Sequence, residues 1–272
     1  MFITELMQTI DNQVQNYTFN AYHALVNENI NSIRLLVVLY FIFLGYRFLI
    51  ADKPFLHMSL LQQVLLTSFC YFAATQWAVY GLFVYDLATA IPDQISVTLV
   101  SVVPNVPDQA SGIALLEYLW FSGLDIAATL WGSISISAIH QGLMALGVLT
   151  MTILLVGYGL LVISLTKMVM AIGLSLAPLF ILLYLFKNTQ SLSFGWLRVI
   201  VTAMMKQMII FVMIAMVYAI AYDTTQAMLA QSTLDMVDVA TFLLLLFISL
   251  GLLLSTSQIA STIGKYYEKY AS

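Results

Sequence analysis

The sequence has very little charge. Only 8% of its 272 residues are Asp, Glu, Lys or Arg, whereas 62% are hydrophobic, and the mean hydropathy is +0.97. A soluble domain of this size needs more polar surface than that. Several apolar runs exceed the ~18 residues that mark a candidate membrane helix. The composition therefore predicts an all-α polytopic membrane protein, a helical bundle of about five spans with one surplus apolar segment, embedded in membrane lipid.

The patterns that carry chemistry are also missing. Cys70 is the only cysteine, which excludes an intrachain disulfide and a cysteine metal cluster and favours a small buried hydrophobe. His23, His57 and His140 have no metal-ligand spacing. No nucleophile elbow, phosphate-binding loop or dinucleotide fingerprint is present, and the nine cations are too scattered for a nucleic-acid patch. We predict a protein that is not an enzyme and that needs no cofactor or metal.

Lys and Arg are absent from Pro54 to Thr166. Because cytoplasmic ends of membrane helices collect Lys and Arg, this stretch is expected on the outer side. Its residues 89–141 form a long loop that Pro92, Pro104 and Pro107 break early.

The second half of this loop predicts a helix on the outer membrane surface. Glu117 and Asp125 make it a poor span and are expected to be solvated surface acids. Trp120 and Trp131 would lie at headgroup depth.

The N-terminal residues 1–32 predict an amphipathic helix outside the membrane. The first cation is Arg34, so a cleavable signal peptide is not expected. Two partners are open for the apolar stripe: another protein or a second copy, and the chain's own bundle. Apolar residues recur at three- and four-residue steps in the order Ile3, Leu6, Ile10, Val14, Tyr17, Ala21, Ala24 and Leu25.

The remaining runs predict the spans. Residues 33–88 hold the first two, 33–51 and 60–88, and residues 142–272 form a C-terminal membrane bundle. In that bundle we expect one crossing from Lys167 to Lys187, one from 205 to 222 and one from 239 to 263. Residues 142–166 would then be re-entrant, protruding or buried in an oligomer. Available break points are Gly157, Gly159, Gly173 and Pro178. The predicted topology has five crossings, with the N-terminus periplasmic and the C-terminus cytoplasmic.

The stretch from Ala171 to Arg198 organises this topology, because an apolar segment carrying Pro178 ends at Lys187 and a short polar turn follows. Ala177-Pro178-Leu179-Phe180, Phe186-Lys187 and Gly195-Trp196-Leu197-Arg198 resemble the central signature of the TrbL-type inner-membrane subunit of bacterial type IV secretion systems. Gln258-Ile259-Ala260 followed by Gly264 resembles the usual end of that family's last span. From the residues alone, Gly195 would allow a sharp turn into the next helix, and Trp196 would lie at the inner headgroup level.

The resemblance implies an inner-membrane component of a conjugation or effector-secretion machine. Such subunits form a ring at the base of the periplasmic stalk and support pilus assembly. The implied partners are pilin and minor pilin subunits, secretion ATPases and other secretion components, with transient contact between the periplasmic loop and transported DNA or protein.

Self-association is also predicted from the residues. The surplus apolar segment, the Met-rich helix around Met208 and the small residues Gly157 and Gly159 would permit close helix contact. Ile3, Leu6 and Ile10 of the N-terminal stripe would join this interface. The competing hypothesis is a secondary transporter or channel, which would use a broken helix such as that at Pro178 but should also show inverted repeats.

Overall fold

The computed structural model describes residues 2–50, 58–104, 106, 110–132, 139–229 and 236–270. Most of these residues form helices, and none of the described residues lies in a strand, which confirms the all-α prediction. The helices are α1 Phe2–Ile50, α2 Met58–Thr75, α3 Trp77–Tyr80, a π-helical turn Gly81–Tyr85, α4 Asp86–Ser101, α5 Gly112–Gly132, α6 Ile139–Ser175, α7 Ala177–Leu183, α8 Gln190–Leu229 and α9 Met236–Tyr270.

Among the described residues, five helices are long and apolar enough to cross a membrane. They are Phe2–Arg47, Gly112–Gly132, His140–Ser175, Gln190–Leu229 and Met236–Thr256. The number of candidate spans agrees with the sequence prediction, but two of the predicted spans are not among the five. The predicted crossing from Lys167 to Lys187 is interrupted between α6 and α7, and the candidate span in that region is His140–Ser175. The predicted span 60–88 is not among them, because it is divided among α2, α3 and the π-helical turn. In its place stands α5, whose 21 residues extend ~32 Å and match a hydrocarbon core of ~30 Å.

The first and fourth helices run further than the sequence predicts. No Gly or Pro occurs from Phe2 to Leu44, and α1 continues without a break from the predicted amphipathic segment into the first apolar run. Pro92, predicted to break the chain, lies inside α4. Proline lacks a backbone N–H, so it removes only the hydrogen bond to the carbonyl four residues earlier. Here the helix continues beyond Pro92 to Ser101.

The long α6 corrects the prediction for residues 142–187. Gly157, Gly159 and Gly173 all lie inside this 37-residue helix and do not interrupt it. The helix is first interrupted at Leu176, immediately before α7, where Pro178 occupies the first turn. Because a continuous helix cannot double back, residues 139–175 are not a re-entrant segment.

The described chain forms two compact units. Unit 1 comprises Met1–Asp11, Pro92–Lys167 and Met204–Ser272, and unit 2 comprises Asn12–Ile91 and Met168–Ala203. The core of unit 1 is built from α5, α6, α8 and α9 together with the first turns of α1. Close approach in this core depends on small residues. A Cβ added at Gly123 would lie 2.3 Å from Oγ1 of Thr152.

Unit 2 has two small cores of its own. Tyr22 and Val26 of α1 pack with Tyr80 of α3 and Ala177 of α7. The second core contains Ile33, Cys70, Ala74, Leu182 and Leu185. Cys70 is buried in it, as predicted for a small hydrophobic residue.

Of the two partners left open for the N-terminal stripe, the structure shows the chain's own bundle. Ile3 and Met7 are buried in the core of unit 1, and Ile10 packs at its edge. Leu6 is 42% exposed. Ile3 was predicted at an oligomer interface, but its side chain is already covered within its own unit, because α1 presents it to the bundle.

Candidate functional site

The break between α6 and α7 leaves backbone carbonyls without helical partners. A helix end exposes its last four C=O groups, and α6 ends at Ser175. Continuing the helix would require an N–H at residue 178 for the carbonyl of Leu174, and proline has none. Pro178 is therefore compatible with the first turn of α7 and not with a continuation of α6.

Two aromatic side chains donate hydrogen bonds to these carbonyls. The Tyr80 hydroxyl donates a hydrogen bond to the Leu174 carbonyl at 2.6 Å. The Trp196 indole N–H donates to the Gly173 carbonyl at 2.7 Å. The Trp196 ring also stacks on Phe180 of α7, with ring centroids 5.8 Å apart and planes 9° from parallel. Each of these two carbonyls thus accepts a hydrogen bond from a side chain of unit 2.

The turn from α7 to α8 is closed by its own hydroxyl groups. Oγ1 of Thr189 donates to the Leu183 carbonyl at 2.8 Å, and Oγ of Ser193 donates to the Phe180 carbonyl at 2.7 Å. Tyr184 and Phe194 meet edge to face across the turn. Together with the Trp196 contacts, these bonds fix α7 against the start of α8.

The predicted signature residues differ in role. Lys187 is exposed in the turn, and Arg198 is exposed on α8. Gly195 lies inside α8, which begins at Gln190, so the prediction that Gly195 turns the chain into the helix is wrong. A 40-residue helix tolerates one interior glycine, at a cost of ~1 kcal/mol. Trp196 is half-buried in the packing just described.

Unit 1 contains a second set of polar contacts. Nζ of Lys167 forms an ion pair with Asp11, and the Lys167 side chain is only 12% exposed. Oδ1 of Asp93 accepts a hydrogen bond at 2.8 Å from the amide of Gln207, which is buried. Partial removal from water raises the pKa of the Asp93 carboxyl. The Lys167 charge lowers this pKa, Asp11 raises it and the Gln207 hydrogen bond lowers it.

The four residues predicted as outer-loop contacts separate into two pairs. Glu117 was predicted as a solvated acid, but it is buried and accepts a hydrogen bond from the Thr4 hydroxyl, because the first turn of α1 packs over it. Trp120 packs against the core of unit 1. Asp125 and Trp131 are exposed and line an open groove of about 570 Å³ between α5 and α6. Of the described residues that line it, only Asp125 is charged.

The predicted oligomer residues of the later helices also differ. Gly157 is exposed, and no atom lies within 4 Å of a Cβ added there. Gly159 faces its own bundle, where an added Cβ would lie 3.2 Å from Leu116. Met208 is half-buried. Of these three residues, Gly157 offers the most open surface.

Sequence reasoning missed the partners of these groups. Lys167 is a lone cation in an apolar run, a pattern that calls for a counterion, but Asp11 lies 156 residues away in the chain. Tyr80 carries no sequence signal for its role at the Pro178 break. Among the described residues, no group of three His, Cys, Asp or Glu side chains could hold a metal ion.

The fold and these sites define a class of protein, a multi-pass helical membrane subunit. The chain belongs to the TrbL/VirB6 plasmid conjugal transfer protein family, whose model matches residues 37–256. The match includes the Pro178 break and the turn to α8, so the resemblance predicted from that stretch is confirmed. A search of curated proteins found no match. Membership of this family makes the protein a component of a type IV secretion or conjugation system.

A conservative change at Trp196 tests the account of the break. Trp196→Phe keeps an aromatic ring on Phe180 but removes the donor to Gly173, so we expect a loss of about 1 kcal/mol in the free energy of unfolding. Trp131→Phe is the matched control, because Trp131 is 63% exposed and should change stability by less than about 0.5 kcal/mol. Denaturant unfolding in mild detergent measures both. Equal stability of the two variants would contradict the proposed hydrogen bond.

Proposed function

We propose that this protein is an inner-membrane structural component of a type IV secretion system. It forms the homo-oligomeric base of the periplasmic stalk and supports pilus assembly and the passage of DNA or protein. The observation that carries the proposal is the family match over residues 37–256, which contains the signature break. The proposed partners are pilin and minor pilin subunits, secretion ATPases and other components of the machine.

The two predicted surfaces have different tasks in this proposal. The turn that carries Lys187 faces the cytoplasm together with Trp196 and Arg198 in the first turns of α8, and it positions α8 for a cytoplasmic partner. The groove beside Asp125 and Trp131 faces the periplasm, and transported DNA or protein makes transient contact there. The groove is open and both side chains are exposed, which supports this assignment.

The proposed orientation has the N-terminus outside and the C-terminus inside. Its sequence basis is the absence of cations from Pro54 to Thr166. The contact between Thr4 and Glu117 supports it, because an outer N-terminus brings that part of α5 to the outer side as well. Residues 89–141 are then periplasmic and α5 does not cross the membrane.

Thiol labelling tests this orientation. A cysteine at Val102, which is exposed after α4, should react with a membrane-impermeant reagent from the periplasm, because residues 89–141 lie outside. A cysteine at Asn188, exposed in the turn before α8, should react only after permeabilisation. The background is Cys70→Ala, which removes the only native thiol.

Labelling at Val102 distinguishes two alternative topologies, each with five crossings. If α5 crosses the membrane in place of 60–88, Val102 lies inside while Asn188 keeps its place. Labelling of Val102 only after permeabilisation would therefore replace the predicted spans by that second set. Labelling of Asn188 from outside would overturn the orientation itself.

Self-association through α6 is the second part of the proposal. Gly157→Leu should reduce the oligomeric mass in mild detergent, because the added side chain occupies an open helix face where a second copy would approach. Gly251→Leu is the control, since no atom lies within 4 Å of its added Cβ either but it lies on α9. Native mass measurement reports the copy number. A wild-type protein that is monomeric at all concentrations counts against the ring.

Substitutions in the first turns of α8, next to the Lys187 turn, test the proposed role in transfer. Trp196→Ala combined with Arg198→Ala should lower DNA or effector transfer markedly while the amount of protein in the membrane stays normal. Leu197→Ala is the matched control, because Leu197 is exposed between the two residues on the same helix. If a normally expressed double variant transferred as well as the wild type, these residues would serve only as a membrane anchor.

A further inference from the structure

The groove between α5 and α6 follows the seam of two antiparallel helices within unit 1. A Cβ added at Gly123 of α5 would meet Thr152 of α6, and one added at Gly159 of α6 would meet Leu116 of α5. Residue numbers therefore rise along α5 where they fall along α6. The groove continues this seam along residues 124–132, which extend ~12 Å and make about two helical turns.

The lining of the groove is mostly apolar and differs in size with depth. Its buried lining residues include the small Ala127 and Ala145, whereas Trp131 and Leu146 are 63% and 56% exposed. Small residues let another helix approach closely, and the large exposed side chains can close around it. On the periplasmic side, where the proposed function places this groove, an exposed apolar surface of this kind favours burial against a partner.

Charge decides which partner fits the groove. Asp125 is exposed and is the only charged residue among the described lining residues, and Lys and Arg are absent from Pro54 to Thr166. DNA binds through phosphates that Lys and Arg neutralise, so this surface repels it. A lipid acyl chain does not suit the groove either, because a carboxylate is costly in hydrocarbon. The same face of a second copy would bring another Asp125 and no cation.

We propose that the groove between α5 and α6 binds an amphipathic helix of a partner protein, whose apolar side chains lie over Ala127 and Ala145 and whose Lys or Arg pairs with Asp125. The proposal rests on the proposed function, which places the groove outside the membrane, and it assigns the contact there to protein and not to DNA. A helix suits this site better than an extended segment, because α5 and α6 offer no strand edge for pairing. Apolar residues at i, i+3 or i+4 and i+7 of the partner would span the two turns.

Binding of defined probes to the purified full chain tests this assignment. The probes are a short amphipathic Leu/Ala peptide with one Lys, the same peptide with Glu in place of Lys, and a single-stranded DNA oligonucleotide. The protein is held in phosphatidylcholine nanodiscs, and empty nanodiscs measure partition of the peptides into lipid. Trp131 fluorescence reports occupancy, because apolar side chains that cover this exposed ring shift its emission to shorter wavelength. The Trp131→Phe protein gives the background.

We expect the Lys peptide to bind about tenfold more tightly than the Glu peptide, because Asp125 attracts one and repels the other. The oligonucleotide should not bind. Asp125→Lys should reverse the preference between the two peptides. Ala128→Phe should abolish binding of both, because Ala128 is exposed in the groove and the added ring occupies it.

Asp86→Lys is the matched control for the charge reversal. It makes the same change at an exposed acid of unit 2 and should leave both peptide affinities unchanged.

Three outcomes would overturn the proposal. Tighter binding of the oligonucleotide than of the Lys peptide would assign the groove to DNA. Equal binding of the two peptides, unchanged by Asp125→Lys, would show that the groove does not select a cation. Failure of the Lys peptide to shift the Trp131 emission would show that no such helix binds there.

These measurements are independent of transfer in cells. A protein that binds the Lys peptide but supports no transfer of DNA or protein contradicts the proposed function and leaves the groove assignment standing. A protein that supports transfer but does not bind the peptide contradicts the groove assignment alone.

Discussion

A chain with so few polar groups depends on satisfying each of them internally. Backbone carbonyls at a helix end and buried ionisable side chains cost free energy when they lack a partner, and the cost is greatest in apolar surroundings. The Pro178 break meets this constraint with two donors, Tyr80 and Trp196. Lys167, whose side chain is 12% exposed, meets it with Asp11. Each solution joins distant parts of the chain, so the same contacts that satisfy polar groups also fix how the helices pack.

The break at Pro178 shows how a local sequence feature becomes a tertiary one. Proline ends α6, and the freed carbonyls attract donors from α3 and α8. The donor on α8 also stacks on α7, which orients the hairpin within unit 2. In the proposed function, this arrangement presents the Lys187 turn to a partner in a fixed orientation. A rigid turn is better suited to assembly with other subunits than a loosely held one, because less freedom is lost on binding.

Unit 1 combines two kinds of constraint. Small residues such as Gly123 permit close helix packing, and a larger side chain at such a position would not fit without a shift of its neighbours. The polar contacts of Asp11, Asp93 and Glu117 instead join separate helices.

The sequence by itself determined the helical membrane class and the family, because apolar runs and short motifs act locally. It offered Pro178 only as one of four available break points. It also placed Cys70 in a core. Only the tertiary structure decided that α1 continues through residue 32, that Glu117 is buried and that Gly195 lies within α8. Those outcomes depend on contacts between residues far apart in the chain. Asp11 and Lys167 are 156 residues apart, and no local pattern records which acid a buried cation will meet.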